Sequence, residues 1–231
     1  MIRILNDLWE LFFPRYCVVC GRRLLTSEEH LCLSCLSALP RTDYHRFPGH
    51  PMEKALWGKI ATEKVTAFLF YAKGGPVRRI LYALKYHGNQ RIGVFMGRCM
   101  AAELKPSGFF DGIDCLMPVP LHGIKQKRRG YNQSERLAEG ISAVTGIPLA
   151  EGLLVKTRPT DTQTRKGSYE RWMNMRDVFA CPSERLLEGK HVLLVDDVFT
   201  TGATMVACAD AMQGVRGLRI SVLTLALAGE S

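Results

Sequence analysis

No stretch of the chain is apolar for long enough to cross a bilayer, so no transmembrane segment is expected. A secretory leader is not expected either. The opening MIRILNDLWELFF is interrupted by Asp7 and Glu10 and lacks an uninterrupted apolar core, which points to a cytoplasmic protein. The same segment reads as an amphipathic helix packed on its own domain, with peripheral contact at the inner face of the cell membrane as the alternative. Internal repeats and low-complexity tracts are absent too, so nothing suggests a repeat array or a disordered tail. Two large domains are also excluded by length, because 231 residues hold one α/β domain and a small appendage. Acidic residues are outnumbered, 22 against 31 lysines and arginines, for a net charge of +9. The excess is local. Residues 122–136 hold five basic residues and one acid, and 156–176 hold six and two, a distribution that suits a polyanion such as diphosphate or nucleic acid.

Four of the eight cysteines fall within the first 35 residues, as Cys17-x2-Cys20 and Cys32-x2-Cys35. Two such knuckles present four thiolates to one ion and leave no coordination position open, which is the pattern of a structural zinc site. Two disulfides would need an oxidising compartment. Cys99, Cys115, Cys181 and Cys208 lie among apolar residues and read as core thiols.

The segment VLLVDDVFTTGAT, residues 192–204, carries the most chemistry. Four apolar residues read as a buried parallel strand, Asp196 and Asp197 stand at its end, and a small-residue turn leads into a helical pattern. Gly202 would let backbone approach an anion. The N–H groups of Thr201, Gly202, Ala203 and Thr204 would sit at a helix N-terminus, with the hydroxyls of Thr200, Thr201 and Thr204 in reach of phosphate oxygens. Two acids beside a phosphate cradle would repel the anion unless they hold something else, and ribose hydroxyls with a magnesium ion nearby suit them.

The rest of the chain reads as α/β. A linker is expected between Pro40 and Pro51, dividing an N-terminal helix and zinc finger (1–45) from a larger domain (51–231). Strands are expected at 65–71, 114–119, 147–155, 191–196 and 218–227, and helices from Pro76 to an end at His87-Gly88 and from about Gln90 to Leu104, a unit (about 72–110) that would hood the site. The loop KQKRRGYNQ should follow the second of these strands, at the sheet edge where α/β proteins bind ligands. The backbone near Pro120, Leu121 and His122, with Lys125, Arg128 and Arg129, is the candidate diphosphate site. Asn132 and Gln133 read as a helix cap or as ligand contacts. Residues 156–179 lack periodicity and read as a lid. Core packing is expected for Tyr71, Tyr86, Phe109 and Phe110.

The segment at 192–204 is similar to the phosphoribosyl diphosphate (PRPP) signature of type I phosphoribosyltransferases, in which the acids bond the ribose hydroxyls and the loop holds the 5′-phosphate. Together with the paired C-x-x-C motifs, LKYHGN at 84–89, PVPLHGIKQKRRGYNQSERLA at 118–138 and TQTRKGSYERWMNMRDVF at 162–179, it makes almost the whole chain resemble the ComF (ComFC, competence protein F) family. The resemblance implies a type I phosphoribosyltransferase-like, mostly parallel sheet flanked by helices, joined to a small N-terminal zinc ribbon with four cysteine ligands. It also implies magnesium-dependent transfer of phosphoribosyl with release of diphosphate, Asp196 and Asp197 as catalytic residues, and a lid that includes Gln163, Arg171 and Asn174. The partners it implies are PRPP, single-stranded DNA and the DNA-uptake machinery of natural transformation, including a helicase of the ComF operon. Thr200 stands where hypoxanthine and guanine salvage enzymes carry an acid that serves as a base, so that substrate class is not expected.

Two other functions stay open at this point. In one, the zinc head and basic loops bind single strands, with Tyr131, Tyr169 and Trp172 as stacking aromatics, and the PRPP site is regulatory or residual. In the other, the protein is a PRPP-responsive scaffold that docks partners through its zinc ribbon.

Overall fold

The computed structural model describes residues 14–86, 89–157 and 178–229. The opening segment, His87-Gly88 and the body of the expected lid, with Gln163, Arg171 and Asn174, lie outside the described residues. A short helix α1 (Leu33–Ser37) closes the cysteine-rich head, and α2 (Pro51–Leu56) leads into β1 (Val65–Tyr71). Helices α3 (Pro76–Tyr86) and α4 (Gln90–Leu104) follow, then β2 (Cys115–Pro118), α5 (Gly123–Arg129) and α6 (Gln133–Thr145). A minimal pair, β3 (Val155–Lys156) and β4 (Phe179–Ala180), precedes β5 (His191–Phe199), α7 (Ala203–Asp210) and β6 (Arg219–Ala228).

The central sheet is parallel throughout, in the order β1-β6-β5-β2, so all four strands end at the same edge. Its residues are buried on both faces, as parallel sheets under helices require. Alternation along β5 divides the core in two: Leu193 and Val195 face Ile80, Leu84, Met96 and Leu137 of α3, α4 and α6, while Val192 and Leu194 face Met52, Leu56, Met205 and Cys208 of α2 and α7. Cys17, Leu24, Leu31, Cys32 and Leu39 of the cysteine-rich head join the first of these clusters. The expected α/β class, a mostly parallel sheet flanked by helices, is what the chain adopts.

Local expectations change in three places. Of the segment 147–155, only Val155, at the start of β3, lies in a strand. Leu149 alone bridges to Leu116 of β2, and the chain then turns at Gly152, whose φ of +72° an extended strand cannot take. The basic loop contains α5, because Lys, Arg and Gln are strong helix formers, and Gly130 in the left-handed region (φ +81°) ends it. β5 runs three residues further than expected, so both aspartates lie within the strand. Pro40 to Thr42, at the start of the segment read as a linker, are bonded along the free edge of β1: Phe70 N donates to Pro40 O, Thr42 N to Phe68 O, and Arg41 bridges antiparallel to Leu69. Among the described residues, no helix is long and apolar enough to cross a membrane.

Candidate functional site

The shared carboxyl edge of the sheet assembles the site. β5 leaves the core at Val195, which pairs with Pro118 at the end of β2, and Asp196 and Asp197 follow half-buried. Asn132 caps α6: its Oδ1 accepts from Ser134 N at 3.1 Å, and its Nδ2 donates to Val119 O at 3.0 Å, fixing the first turn of the helix to the end of β2. Ser134 Oγ is thereby placed to donate to Asp196 Oδ1 at 2.9 Å, and Asp197 N donates to the same oxygen at 2.8 Å. From the last turn of α3, Lys85 Nζ reaches Asp197 Oδ2 at 2.7 Å. Tyr131 OH donates to Leu84 O and so ties α3 to the start of α6.

Electrostatics follow from this crowding. Burial, and then the neighbouring charge of Asp197, push the Asp196 carboxyl up to about 7, against the opposing pull of the Asp197 N–H, the Ser134 hydroxyl and Lys85. Burial pulls Lys85 down, but the charge and hydrogen bond of Asp197, with help from Asp196, outweigh it and leave the ammonium above the usual lysine value. Between the ordinary carboxylate value and about 7, folded Asp196 keeps a proton that the unfolded chain releases, so stability falls as pH rises through that window. Asp196→Asn is therefore expected to stabilise the protein at pH 8 by on the order of 1–2 kcal/mol and to flatten the pH dependence of its melting temperature between about pH 4 and pH 7. Thermal melts across that range check it, and an unchanged profile would refute it.

Beyond β5, Gly202 caps α7 in the left-handed region (φ +80°). Besides the role in admitting an anion that the sequence suggests, packing beneath the turn also demands glycine here. A Cβ here would stand 2.8 Å from Leu56 Cδ2 and 3.0 Å from Phe199 Cζ. The first N–H groups of α7, beginning at Ala203 and Thr204, have no acceptor within the helix and meet the positive end of its dipole. Thr200 is exposed, and Thr201 and Thr204 are half-buried around this turn.

The diphosphate candidates divide. Pro120, Leu121 and His122 follow β2 at half-buried positions, next to the acid-bearing strand. Lys125 and Arg128 lie on α5, where their side chains are outside the described set, and Arg129 places its guanidinium 5.7 Å from the ring centre of Tyr86. The lid candidates cannot be placed, but the segment that holds them is bounded by β3 and β4, paired as Val155 with Ala180 and Lys156 with Phe179.

Aromatic expectations need correction. Phe109 and Phe110 are buried, yet Tyr86 is 57% exposed. Tyr131, a candidate stacking residue, is buried and its hydroxyl is engaged. Sequence reasoning missed Lys85 and Ser134. Both lie in the quoted motifs LKYHGN and PVPLHGIKQKRRGYNQSERLA, the only signal that could have singled them out.

At the other end of the chain, the Sγ atoms of Cys17, Cys20, Cys32 and Cys35 lie within 4.8 Å of one another. A tetrahedron of zinc–thiolate bonds has edges of about 3.8 Å, and Cys20 Sγ and Cys32 Sγ are 3.8 Å apart, so the set fits such an ion. Burial opposes ionisation of Cys17, but the N–H groups of Cys32, Cys20 and Val19 and the Cys20 side chain bring it down to about 6. Cys35 is pushed far up by burial, by its bonds to the other thiols and by the Cys17 charge. Glu28 braces the two knuckles. It accepts from Leu25 N and Leu33 N at 2.8 Å each and pairs with Arg22, which hold its carboxyl below the usual range. His30, between the two knuckles, packs edge-on against Phe95.

This fold and edge site define a class, and comparison with known proteins gives the same one. The family model described as the phosphoribosyl transferase domain matches residues 88–231, a span that holds β2, α6, β5 and the turn into α7, and the chain belongs to that family. Its homologues include DNA utilization protein YhgH of Escherichia coli strain K12, 28% identical over 85% of this chain and 83% of the relative. Competence protein F of Haemophilus influenzae is 26% identical over 84% and 76%, and competence protein ComFC of Bacillus subtilis is 24% identical over 79% and 77%.

Proposed function

We propose that this chain binds PRPP at the carboxyl edge of its sheet and transfers the phosphoribosyl group to an acceptor in the handling of incoming DNA. The observation that carries the reading is the juxtaposition, on one strand and the turn after it, of the Asp196–Asp197 pair and the Thr200–Thr204 cradle. In the transfer, a lone pair of the acceptor forms a bond to C1 of the ribose while the C1–oxygen bond to diphosphate breaks. The bonding electrons leave with diphosphate, and the acceptor's proton passes to solvent. Asp196 and Asp197 would hold the 2′ and 3′ hydroxyls, with Ser134 fixing one carboxylate and Lys85 balancing the other. Thr200, Thr201, Gly202, Ala203 and Thr204 would hold the 5′-phosphate. Pro120 to His122 with Arg129 would face the leaving diphosphate, and Gln133 Nε2, a buried donor without a partner among the described residues, would gain from a ligand oxygen. Magnesium bound with PRPP would neutralise part of the leaving charge. The names of the relatives, DNA utilization and competence proteins, support the cellular role.

Calorimetric titration of PRPP with magnesium tests this. Wild type is expected to bind at micromolar concentration, and the Asp196→Asn/Asp197→Asn variant, which should stay folded, is expected to lose at least tenfold in affinity, about 1.4 kcal/mol. No heat from well-folded wild type, or equal binding by the variant, would sink the proposal.

A further inference from the structure

Helix α3 delivers one charged side chain to the sheet edge. Val77, Ile80, Leu81 and Leu84 hold its inner face in the core and Arg78 and Arg79 are exposed, while Lys85 in the last turn is half-buried beside the acid pair. The main chain there is tied, because Tyr131 OH donates to Leu84 O. The side chain is not, since a flexible four-carbon stem carries the ammonium. It reaches Asp197 Oδ2 at 2.7 Å, in an ion pair that leaves Lys85 25% and Asp197 15% exposed. Arg129, whose guanidinium stands over the neighbouring Tyr86, is near enough for its charge to oppose that of Lys85. Arg129 pairs with no acid among the described residues. Lys85 thus stands at the junction between an acid that would take the ribose and a basic residue that would face the diphosphate.

We propose that Lys85 selects PRPP over sugar phosphates that lack the diphosphate, by moving its ammonium from Asp197 to the diphosphate oxygens when that ligand binds. The inference rests on the PRPP reading of the site. In the empty site each of the two charges needs the other, because either one left alone in a half-buried edge is costly. PRPP removes that need on both sides. A ribose hydroxyl donates to Asp197, and the diphosphate offers Lys85 several negative oxygens in place of one carboxylate. Ribose 5-phosphate carries a hydroxyl at C1, so it gives Lys85 no second anion and the ion pair stays. Burial opposes the charge on Lys85, but Asp197 outweighs it and holds the ammonium above the usual lysine value, which suits a cation and hydrogen-bond donor rather than a base or nucleophile. No bond to Lys85 forms and no proton leaves it. When diphosphate departs, the ammonium returns to Asp197, and the empty site keeps no unpaired acid.

Calorimetric titration of PRPP and, separately, of ribose 5-phosphate, each with magnesium, into wild type, Lys85→Met and Lys85→Arg tests this. Lys85→Met is expected to lose about 10- to 100-fold in PRPP affinity, the contribution of one charge-assisted contact, and to bind ribose 5-phosphate no more weakly than wild type. Lys85→Arg, which keeps a cation with phosphate-binding donors, should recover most of the PRPP affinity. A lysine that merely braced Asp197 would weaken both ligands together when removed. Nitrogen-15 resonances of the lysine ammonium groups in wild type give a reading that does not depend on how a variant folds: the Lys85 signal should shift with PRPP and stay in place with ribose 5-phosphate. Equal loss of both ligands in Lys85→Met, undiminished PRPP affinity in that variant, or a Lys85 signal that responds alike to the two ligands would overturn the proposal while PRPP binding by wild type stands. Wild type that takes up neither ligand would instead sink the PRPP reading, and this inference with it.

Discussion

Gly140→Ala is expected to destabilise the protein by about 3 kcal/mol or more, a large part of the roughly 5–15 kcal/mol that holds a typical domain together. In an ordinary helix interior the same change stabilises by about 1 kcal/mol, since alanine is the better helix former. Here the sign reverses because α4 and α6 cross backbone to backbone. A Cβ on Gly140 would stand 2.1 Å from Val94 O and 2.8 Å from Arg98 N, and one on Gly97 would stand 2.1 Å from Leu137 O. Main-chain atoms of a packed helix cannot swing aside as a side chain can, so the helices must separate and leave Met96, Met100, Leu137 and Ile141 underpacked. The separation would reach the site, because α6 carries Ser134 to Asp196, and PRPP affinity should fall with stability. Gly123→Ala is the control: nothing lies within 4 Å of its would-be Cβ, and it should be neutral within about 0.5 kcal/mol. Urea denaturation of the three proteins decides, and an unchanged midpoint for Gly140→Ala would refute the argument.

That crossing was not legible in the sequence, and the reason is general to the site. β5 could be read because its signal is local: an apolar run, two acids and a turn of small residues lie within thirteen positions. Helices α3 and α4 were legible for the same reason, each carrying its apolar stripe in its own periodicity. Gly97 and Gly140 have meaning only once two helices are in contact. Lys85 and Ser134 meet the aspartates only through the packing of α3 and α6 on the sheet edge, and nothing in LKYHGN or QSERLA says which carboxylate each will face. Tyr86 illustrates a different limit. An aromatic near the end of an amphipathic helix looks the same whether the face it occupies is covered or bare. At 147–155 the apolar residues favoured a strand, but Gly152 ended it, and backbone conformation overrode composition.

Cys17→Ser and Cys32→Ser are each expected to abolish metal binding and unfold the cysteine-rich head. Elemental analysis of the purified chain should find one zinc per molecule, and the variants near none. The head has little apolar surface of its own. Leu24, Leu31 and Leu39 belong to the same buried cluster as the larger core, and so few apolar residues give a module this small little order of its own. A structural zinc ion contributes on the order of 10 kcal/mol in isolated zinc modules near neutral pH, more than a few apolar contacts can replace. Four thiolates within 4.8 Å of one another would repel unless a dication balanced them, so ionisation of the set and metal binding should go together. Acidification should therefore release metal as protons compete for the sulfurs, and the head should loosen before the sheet does. Loss of the head would remove the Val19 carbonyl that Arg79 holds, while the sheet-edge site at the opposite end of α3 should persist. Cys99→Ser, at a half-buried position outside the cluster, should leave metal content unchanged. Full zinc occupancy in Cys17→Ser would refute the assignment, as would a wild-type chain lighter by about four mass units, the signature of two disulfides in place of four metal-binding thiols.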